Sequence, residues 1–364
     1  MALRVRSSKS AILVVAALGL SCAREAPELL APEDPPPQFI KLSAYARTDQ
    51  VPYEPDDPAI WRHPTDPSQS IIVGTNKVEK PGGGLVVFDL RGKILQLIGN
   101  LDRPNNVDIE QNVKLGAETI DIAVATEREA RAVRIYSIDG RTRSLRELAK
   151  APVFEGEQGD FALPMGVGIY KRPDESVFII VGRKSGPQEG YLWQYRVRRD
   201  ASLELVRKFG QFSGAREIEA IAVDDELGYV YYADEGAGIR KYHADPDAPD
   251  APRELAFFGR SGYLGNREGL AIYASGGRKG FIVSTDQVER RSRYLLYRRE
   301  GLGTDAHDHR QLVAVLEGVA DATDGIEVVA GPLSNDFPFG LLAAMNSRAK
   351  NFLLFPWPPP WDRP

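Results

Sequence analysis

Acidic and basic side chains return at matching places along this chain. Short apolar runs begin at or contain carboxylates: Asp56-Asp57 before Pro58-Ala59-Ile60-Trp61, Asp108 in Asn106-Val107-Asp108-Ile109, Glu219 before Ala220-Ile221-Ala222-Val223, Glu268 before Gly269-Leu270-Ala271-Ile272, and Asp324 before Gly325-Ile326-Glu327-Val328. The denser apolar runs that follow also end in charge, with acids at Asp234-Glu235 and Asp286 and bases at Lys77, Arg128 and Arg183-Lys184. Carboxylates gathered in one place repel one another, and ionised groups without partners are costly to bury. A hard cation relieves that cost, and calcium accepts about six to eight oxygens from flexible carboxylate and carbonyl sets. Cations beside such a cluster point to a ligand that is itself multiply anionic. Arginine meets phosphate through a planar pair of donors, and lysine acts as a point charge. Turn chemistry alone accounts for many single Asp, Asn, Gly and Lys residues. The shared registers, and the separation of the signs into two groups, are what single out a site.

The elements that must position these groups are strands. A polar residue and a short apolar run recur six times, with Gly166-Val167-Gly168-Ile169-Tyr170 as the uncharged example. Denser apolar runs follow at 71–74, 120–125, 177–181, 229–233, 281–284 and 339–344, and third runs at 85–90, 132–138, 191–197, 238–242, 294–298 and 351–355. Period-2 and dense apolar runs bounded by Gly, Pro, Asp and Asn predict strands. A repeat of roughly 45–60 residues made of such strands predicts propeller blades. The expected fold is therefore all-β, a six-bladed β-propeller with four-stranded antiparallel blades over residues 39–364. First strands of a propeller line its central channel, so their charged ends meet around one axis. The stretch 39–47 is expected to complete the last blade, and the Pro-rich 356–364 to lie on the surface.

Composition agrees. With 34 Gly and 26 Pro in 364 residues, and no long 3.6-residue apolar stripe, little helix is expected. A net charge of −5 without a basic stripe excludes nucleic acid as the expected partner. Arg4, Arg6 and Lys9 precede an apolar run at 11–20 that ends in Ser21-Cys22. That pattern predicts a signal peptide over 1–21, too short to span a bilayer permanently. Cys22 is the sole cysteine; its place resembles a lipoprotein box, so it is the expected lipidation site. Residues 22–38, acidic and Pro-rich, read as an extended tether. A monomeric periplasmic or outer-membrane lipoprotein is expected, touching the membrane only through its lipid. Other chemistries find little support. His307-Ala-His309 reads as a solvated turn, Gly82-Gly83-Gly84 as a hairpin turn with no Lys-Ser/Thr or helix behind it, and Arg290-Arg291-Ser292-Arg293 as a solvated loop.

Taken in order, Asp56-Asp57-Pro58-Ala59-Ile60-Trp61, Thr75-Asn76-Lys77, Asn105-Asn106-Val107-Asp108, Glu268-Gly269-Leu270 and Thr323-Asp324-Gly325-Ile326 resemble the β-propeller phytases, six-bladed calcium-dependent enzymes that hydrolyse myo-inositol hexakisphosphate. The resemblance runs from about residue 50 to 355. It implies several calcium ions held by Asp56, Asp57, Glu219, Glu235, Glu268 and Asp324, with Lys77, Arg128 and Arg183 on substrate phosphates. Lys184 joins the phosphate set, and Asp108 and Asp234 the metal set. Hydrolysis would use a metal-activated water oriented by Glu219, with Lys77 and Arg128 stabilising developing charge. The chain departs from the pattern at Met165-Gly166 for Tyr-Gly, Ile218-Glu219-Ala220 for Thr-Glu-Gly, Asp234-Glu235 for Glu-Glu, Asn266-Arg267-Glu268-Gly269 for Asp-Ile-Glu-Gly and Met345-Asn346-Ser347 for Gln-Asp-Gly. Rival expectations on the same fold are a lactonase or phosphotriesterase with one axial metal, and a non-catalytic binding propeller.

Overall fold

The computed structural model describes residues 35–360. The signal segment, Cys22 and the tether through residue 34 lie outside the described residues. Six sheets follow one another, each running from an inner strand outward, and the inner strands are Pro55–Trp61, Pro104–Leu115, Pro164–Lys171, Ile221–Asp224, Leu270–Gly276 and Ile326–Ala330. Within a blade, successive strands pair antiparallel, as Pro55–Trp61, Ile71–Asn76, Gly83–Asp89 and Ile94–Leu101 do in blade one. Helix among the described residues is limited to two short 3₁₀ turns, Pro67–Gln69 and Gly159–Ala162.

Why these sequences make blades follows from their burial. Second strands such as Val177–Arg183 and Gly340–Asn346 are buried at every position, so both faces are apolar and each must be covered by a neighbouring blade. Outer strands alternate, as Ile94–Leu101 does, because they meet solvent on one side. The core accordingly divides into six clusters, one at each blade interface. Blade one, for example, buries Val73 and Leu85 against Tyr136 and Ile138 of blade two, and Ile72 and Phe88 against Leu341 and Phe352 of blade six.

Ring closure departs from the expectation for 39–47. Only Ala46–Arg47 completes blade six, antiparallel to Asn351–Pro356. Gln38–Lys41 instead adds a fifth, parallel strand to the outer edge of blade five, beside Leu312–Gly318. One segment therefore straps two blades, and its first strand begins one residue before the expected 39. The Pro-rich end is not wholly superficial either: Trp357 is buried and stacks on Tyr273 with ring centroids 4.0 Å apart. His309 is likewise no solvated turn. It is buried, with Nε2 3.0 Å from Lys241 Nζ and Nδ1 2.8 Å from the Arg298 carbonyl. Arg293 is also buried, paired with Asp286.

Around the axis the inner strands approach so closely that side chains cannot be accommodated everywhere. A Cβ at Gly166 would lie 1.8 Å from the Glu219 carbonyl oxygen of the next blade, and one at Gly325 2.2 Å from Asp57 Oδ1. Gly166→Ala should therefore push two inner strands apart and cost about 1–3 kcal/mol in denaturant unfolding. Gly99→Ala is the control, since its nearest neighbour would be 3.9 Å away; it should change stability by less than about 0.5 kcal/mol.

Candidate active site

Two residues at the end of each second strand have different jobs. The first is an anchor for the segment arriving from the previous blade. Asn76 Oδ1 accepts the Tyr53 and Glu54 amides at 3.0 Å, Glu127 Oε1 the Asp102 amide at 2.9 Å, Asp234 Oδ2 the Ser213 amide at 2.8 Å, Asp286 Oδ1 the Gly265 amide at 2.7 Å, and Asn346 Oδ1 the Asp321 amide at 2.9 Å. The residue after it faces the rim. Lys77, Arg128, Lys184, Glu235, Gln287 and Ser347 each donate a backbone N–H to the arriving segment, at 2.8–3.3 Å. Arg183 pairs with Pro164 as Asn76 does with Pro55 and Glu127 with Pro104, so it holds the anchor register. Lys184, not Arg183, is the blade-three counterpart of Lys77 and Arg128.

The ladders also align the inner strands. Pro58, Val107, Val167, Ile221, Leu270 and Ile326 face equivalent second-strand residues. Two residues earlier, Asp56, Asn105, Met165, Glu219, Glu268 and Asp324 therefore form one layer at the channel mouth. Asp57 belongs one layer deeper and Asp108 three layers deeper.

Blades one, two and four meet in a buried network. Lys77 Nζ lies 2.9 Å from Asp56 Oδ1 and 3.2 Å from Glu219 Oε1, and Arg128 Nη2 lies 3.5 Å from the same Glu219 oxygen. Asn105 ties these groups together. Its Nδ2 donates to Asp56 Oδ2 at 3.3 Å and to Glu219 Oε1 at 3.2 Å, while its Oδ1 accepts from Arg128. Asn105 was not among the expected site residues, although its place in Asn105-Asn106-Val107-Asp108 carries the same register as Asp56. Burial works against Lys77's charge, but Asp56 and Glu219 more than offset it and hold its pKa above the ordinary lysine value. Burial similarly opposes Glu219's ionisation, yet Lys77 and Arg128 keep its pKa below the ordinary value.

The opposite half of the mouth is acidic, and among the described residues it has no such cationic network. Burial, then the charges of Glu268 and Glu219, raises Glu235 to about 9. Burial and then Glu219 raises Glu268 to about 7, and burial with Asp56 and Glu268 raises Asp324 to about 9. Their polar neighbours are amides: Asn266 Nδ2 lies 2.9 Å from Glu268 Oε1, and Gln287 donates to Asp324. Crowded hard oxygens whose ionisation the fold opposes suit a cation such as calcium, which would restore the charged form. Among the described residues, no three Asp, Glu, His or Cys side chains converge as a finished metal cage. The donor chemistry fits; remaining ligands would come from carbonyls and water.

The other expected site residues sit elsewhere. Asp57 Oδ2 accepts the Val107 amide at 3.0 Å, and Asp108 Oδ2 the Ile169 amide at 2.7 Å, so each ties its inner strand to the next blade. Asp234 is spent on Ser213 and on Arg240, whose Nε is 3.0 Å away. The Arg183 guanidinium is buried against the Tyr191 carbonyl at 2.9 Å and the rings of Phe154 and Trp193, with centroids at 4.6 and 5.2 Å. Lys184 is a third exposed and pairs with Glu217. Arg183→Ala should thus cost roughly 2–4 kcal/mol of stability, through lost ring contacts and carbonyls left unpaired. Lys184→Ala should cost under about 1 kcal/mol. Equal denaturant midpoints for the two variants would contradict the assigned registers.

A family model described as Phytase matches residues 9–351. The chain is 28% identical over 344 residues to a 3-phytase of Bacillus subtilis (strain 168), covering 87% of this chain and 84% of that protein. Among solved structures, a luciferin-regenerating enzyme superposes with a TM-score of 0.53 at 13% identity, covering 84% of this chain and 91% of the other; that likeness shows the propeller fold alone. With a family match that takes in all six inner strands and the layer of charges they carry, the chain belongs to the phytase family.

Proposed function

We propose that the mouth hydrolyses phosphomonoester groups of phytate, releasing inorganic phosphate, with calcium in its acidic half. The observation that carries this reading is the division of one mouth by sign. Lys77, Arg128 and Lys184 occupy the rim of blades one to three, while Glu219, Glu235, Glu268 and Asp324 stand on blades four to six. A ligand that bridges the halves must offer negative oxygens to both the cations and a metal, as a phosphate ester does. The family match and the 3-phytase relative support the same substrate.

Asp56, Glu219, Glu235, Glu268 and Asp324 would hold calcium, which when bound neutralises substrate charge and acidifies a water. The protein's own groups do the rest. Lys77 and Arg128 exchange part of their bonding to Asp56 and Glu219 for phosphate oxygens, and face the charge that grows as the phosphorus–oxygen bond to the inositol breaks. Asn105 holds both carboxylates and Arg128 in place, so the donors are set before substrate arrives. Glu219, kept ionised by Lys77 and Arg128, can orient the attacking water and accept its proton. A lactonase or phosphotriesterase would leave the three rim cations without a purpose.

Wild-type protein should release phosphate from phytate in the presence of calcium and lose that activity with chelator. Lys77→Ala and Arg128→Ala should each lower kcat/KM by about 10²–10³-fold. Phytate binding without phosphate release would indicate a non-catalytic propeller.

The acidic half gives a separate prediction from stability. Glu235, Glu268 and Asp324 hold protons in the fold that the unfolded chain has already released, because their folded values of about 9, 7 and 9 lie above ordinary carboxyl values. Their favourable contribution is full below about pH 4 and is lost as pH rises toward 9. The melting midpoint of chelator-treated protein should therefore fall between pH 5 and 8, and added calcium should raise it most at the upper end. A calcium effect independent of pH would count against these residues as its ligands.

A further inference from the structure

The residue just before the mouth layer carries a charge in blade five alone. Pro55, Pro104, Pro164, Ile218 and Thr323 hold that place in the other blades, and Arg267, before Glu268, holds it here. Arg267 is buried, so its donors need partners inside the fold. They go to carbonyls: Nε to Gly259 at 2.7 Å and Nη1 to Glu235 at 2.8 Å. The guanidinium carbon lies 4.1 Å from the centroid of the Tyr263 ring, which fixes the plane of the fork.

Glu235 is the rim residue with most to gain from this bond. Its N–H reaches the Glu217 carbonyl at 3.3 Å, the longest of the six rim bonds, and Gly236 follows it. A long hydrogen bond on one side and a glycine on the other fix the main chain weakly. Arg267 holds it from the carbonyl side, reaching across from blade five. One side chain therefore joins Glu235 to the residue next to Glu268. After burial, the charge of Glu268 does most to raise Glu235, so the two acids oppose each other at short range. Like charges tend to separate, and a cation shared between them needs their oxygens held together. Groups that support a ligand from behind commonly set metal affinity.

We propose that Arg267 is a positioning residue, which fixes the Glu235 main chain against Glu268 so that both carboxylates are in place before calcium enters the acidic half. The inference rests on the proposed calcium site and adds the group that presets it.

Arg267→Leu tests this, because leucine is apolar, as Ile218 is at the same register of blade four, and makes neither hydrogen bond. Calcium titrated by calorimetry, well below the melting midpoint, should bind the variant about tenfold or more weakly than wild type. The calcium concentration giving half-maximal phytate hydrolysis should rise by the same factor, with kcat at saturating calcium within about twofold. Arg267→Lys, which keeps the charge but loses the fork, should fall between. It also serves if the leucine variant does not fold, and wild-type affinity in it would then reject the proposal. Arg183→Ala, destabilised in another blade, should bind calcium as wild type does; a comparable loss there would make the effect one of stability and overturn the proposal. In a Glu235→Gln background, Arg267→Leu should add less than about threefold, since the two act through one ligand. Equal affinity in wild type and Arg267→Leu, or full additivity with Glu235→Gln, would reject the positioning role alone. A wild type that binds no calcium would overturn both this inference and the calcium reading beneath it.

Discussion

Every blade here depends on both of its neighbours. The second strands are apolar on two faces, so a blade cannot be buried until the ring around it is complete. Closure is therefore the constraint on which the rest rests, and it is met by two residues, Ala46–Arg47, paired with the strand Asn351–Pro356. The preceding Gln38–Lys41 fastens the same segment to blade five, so the strap crosses from one blade to the next before it closes the ring. A propeller stabilised this way distributes its core among six interfaces and has no single centre to protect.

Closure also creates the site. Lys77 and Glu219 are 142 positions apart in the chain, yet their side chains touch because blades one and four face each other across the axis. Two carboxylates and two cations packed out of water would be unfavourable without complementary geometry. Asn105 supplies part of that geometry by donating to both acids and accepting from Arg128. On the other side of the axis, no comparable set of cations among the described residues answers Glu235, Glu268 and Asp324, and the imbalance is a local cost of the fold. Such costs commonly mark the place where a ligand belongs.

The groups just outside the site are committed to the scaffold. Asp57 and Asp108 hold neighbouring inner strands, Asp234 and Asp286 hold arriving loops, and Arg183 closes blade three from within. These are charged residues doing structural work beside charged residues available to ligands, often one position apart. Blade three shows the distinction most plainly, with Arg183 buried among rings and Lys184 on the rim.

The amino-acid sequence by itself determined the blades, their number, the low helix content and the gathering of Asp56, Glu219, Glu268 and Asp324 with Lys77 and Arg128. Those features depend on local apolar periodicity and on register within a repeat, both of which are written in the order of residues. It did not distinguish Arg183 from Lys184, or Asp234 from Glu235. Consecutive polar residues at a strand end look alike in sequence, and only the amides and rings of the adjoining segment decide which one turns inward. Asp108 was grouped with the charged first-strand positions, whereas its layer lies deeper along the strand, where it accepts the Ile169 amide. The parallel strand at Gln38–Lys41, the buried His309 and the stacked Trp357 were also settled by tertiary structure alone. Each owes its position to a surface formed by residues distant in sequence, and short-range pattern carries no record of such a surface.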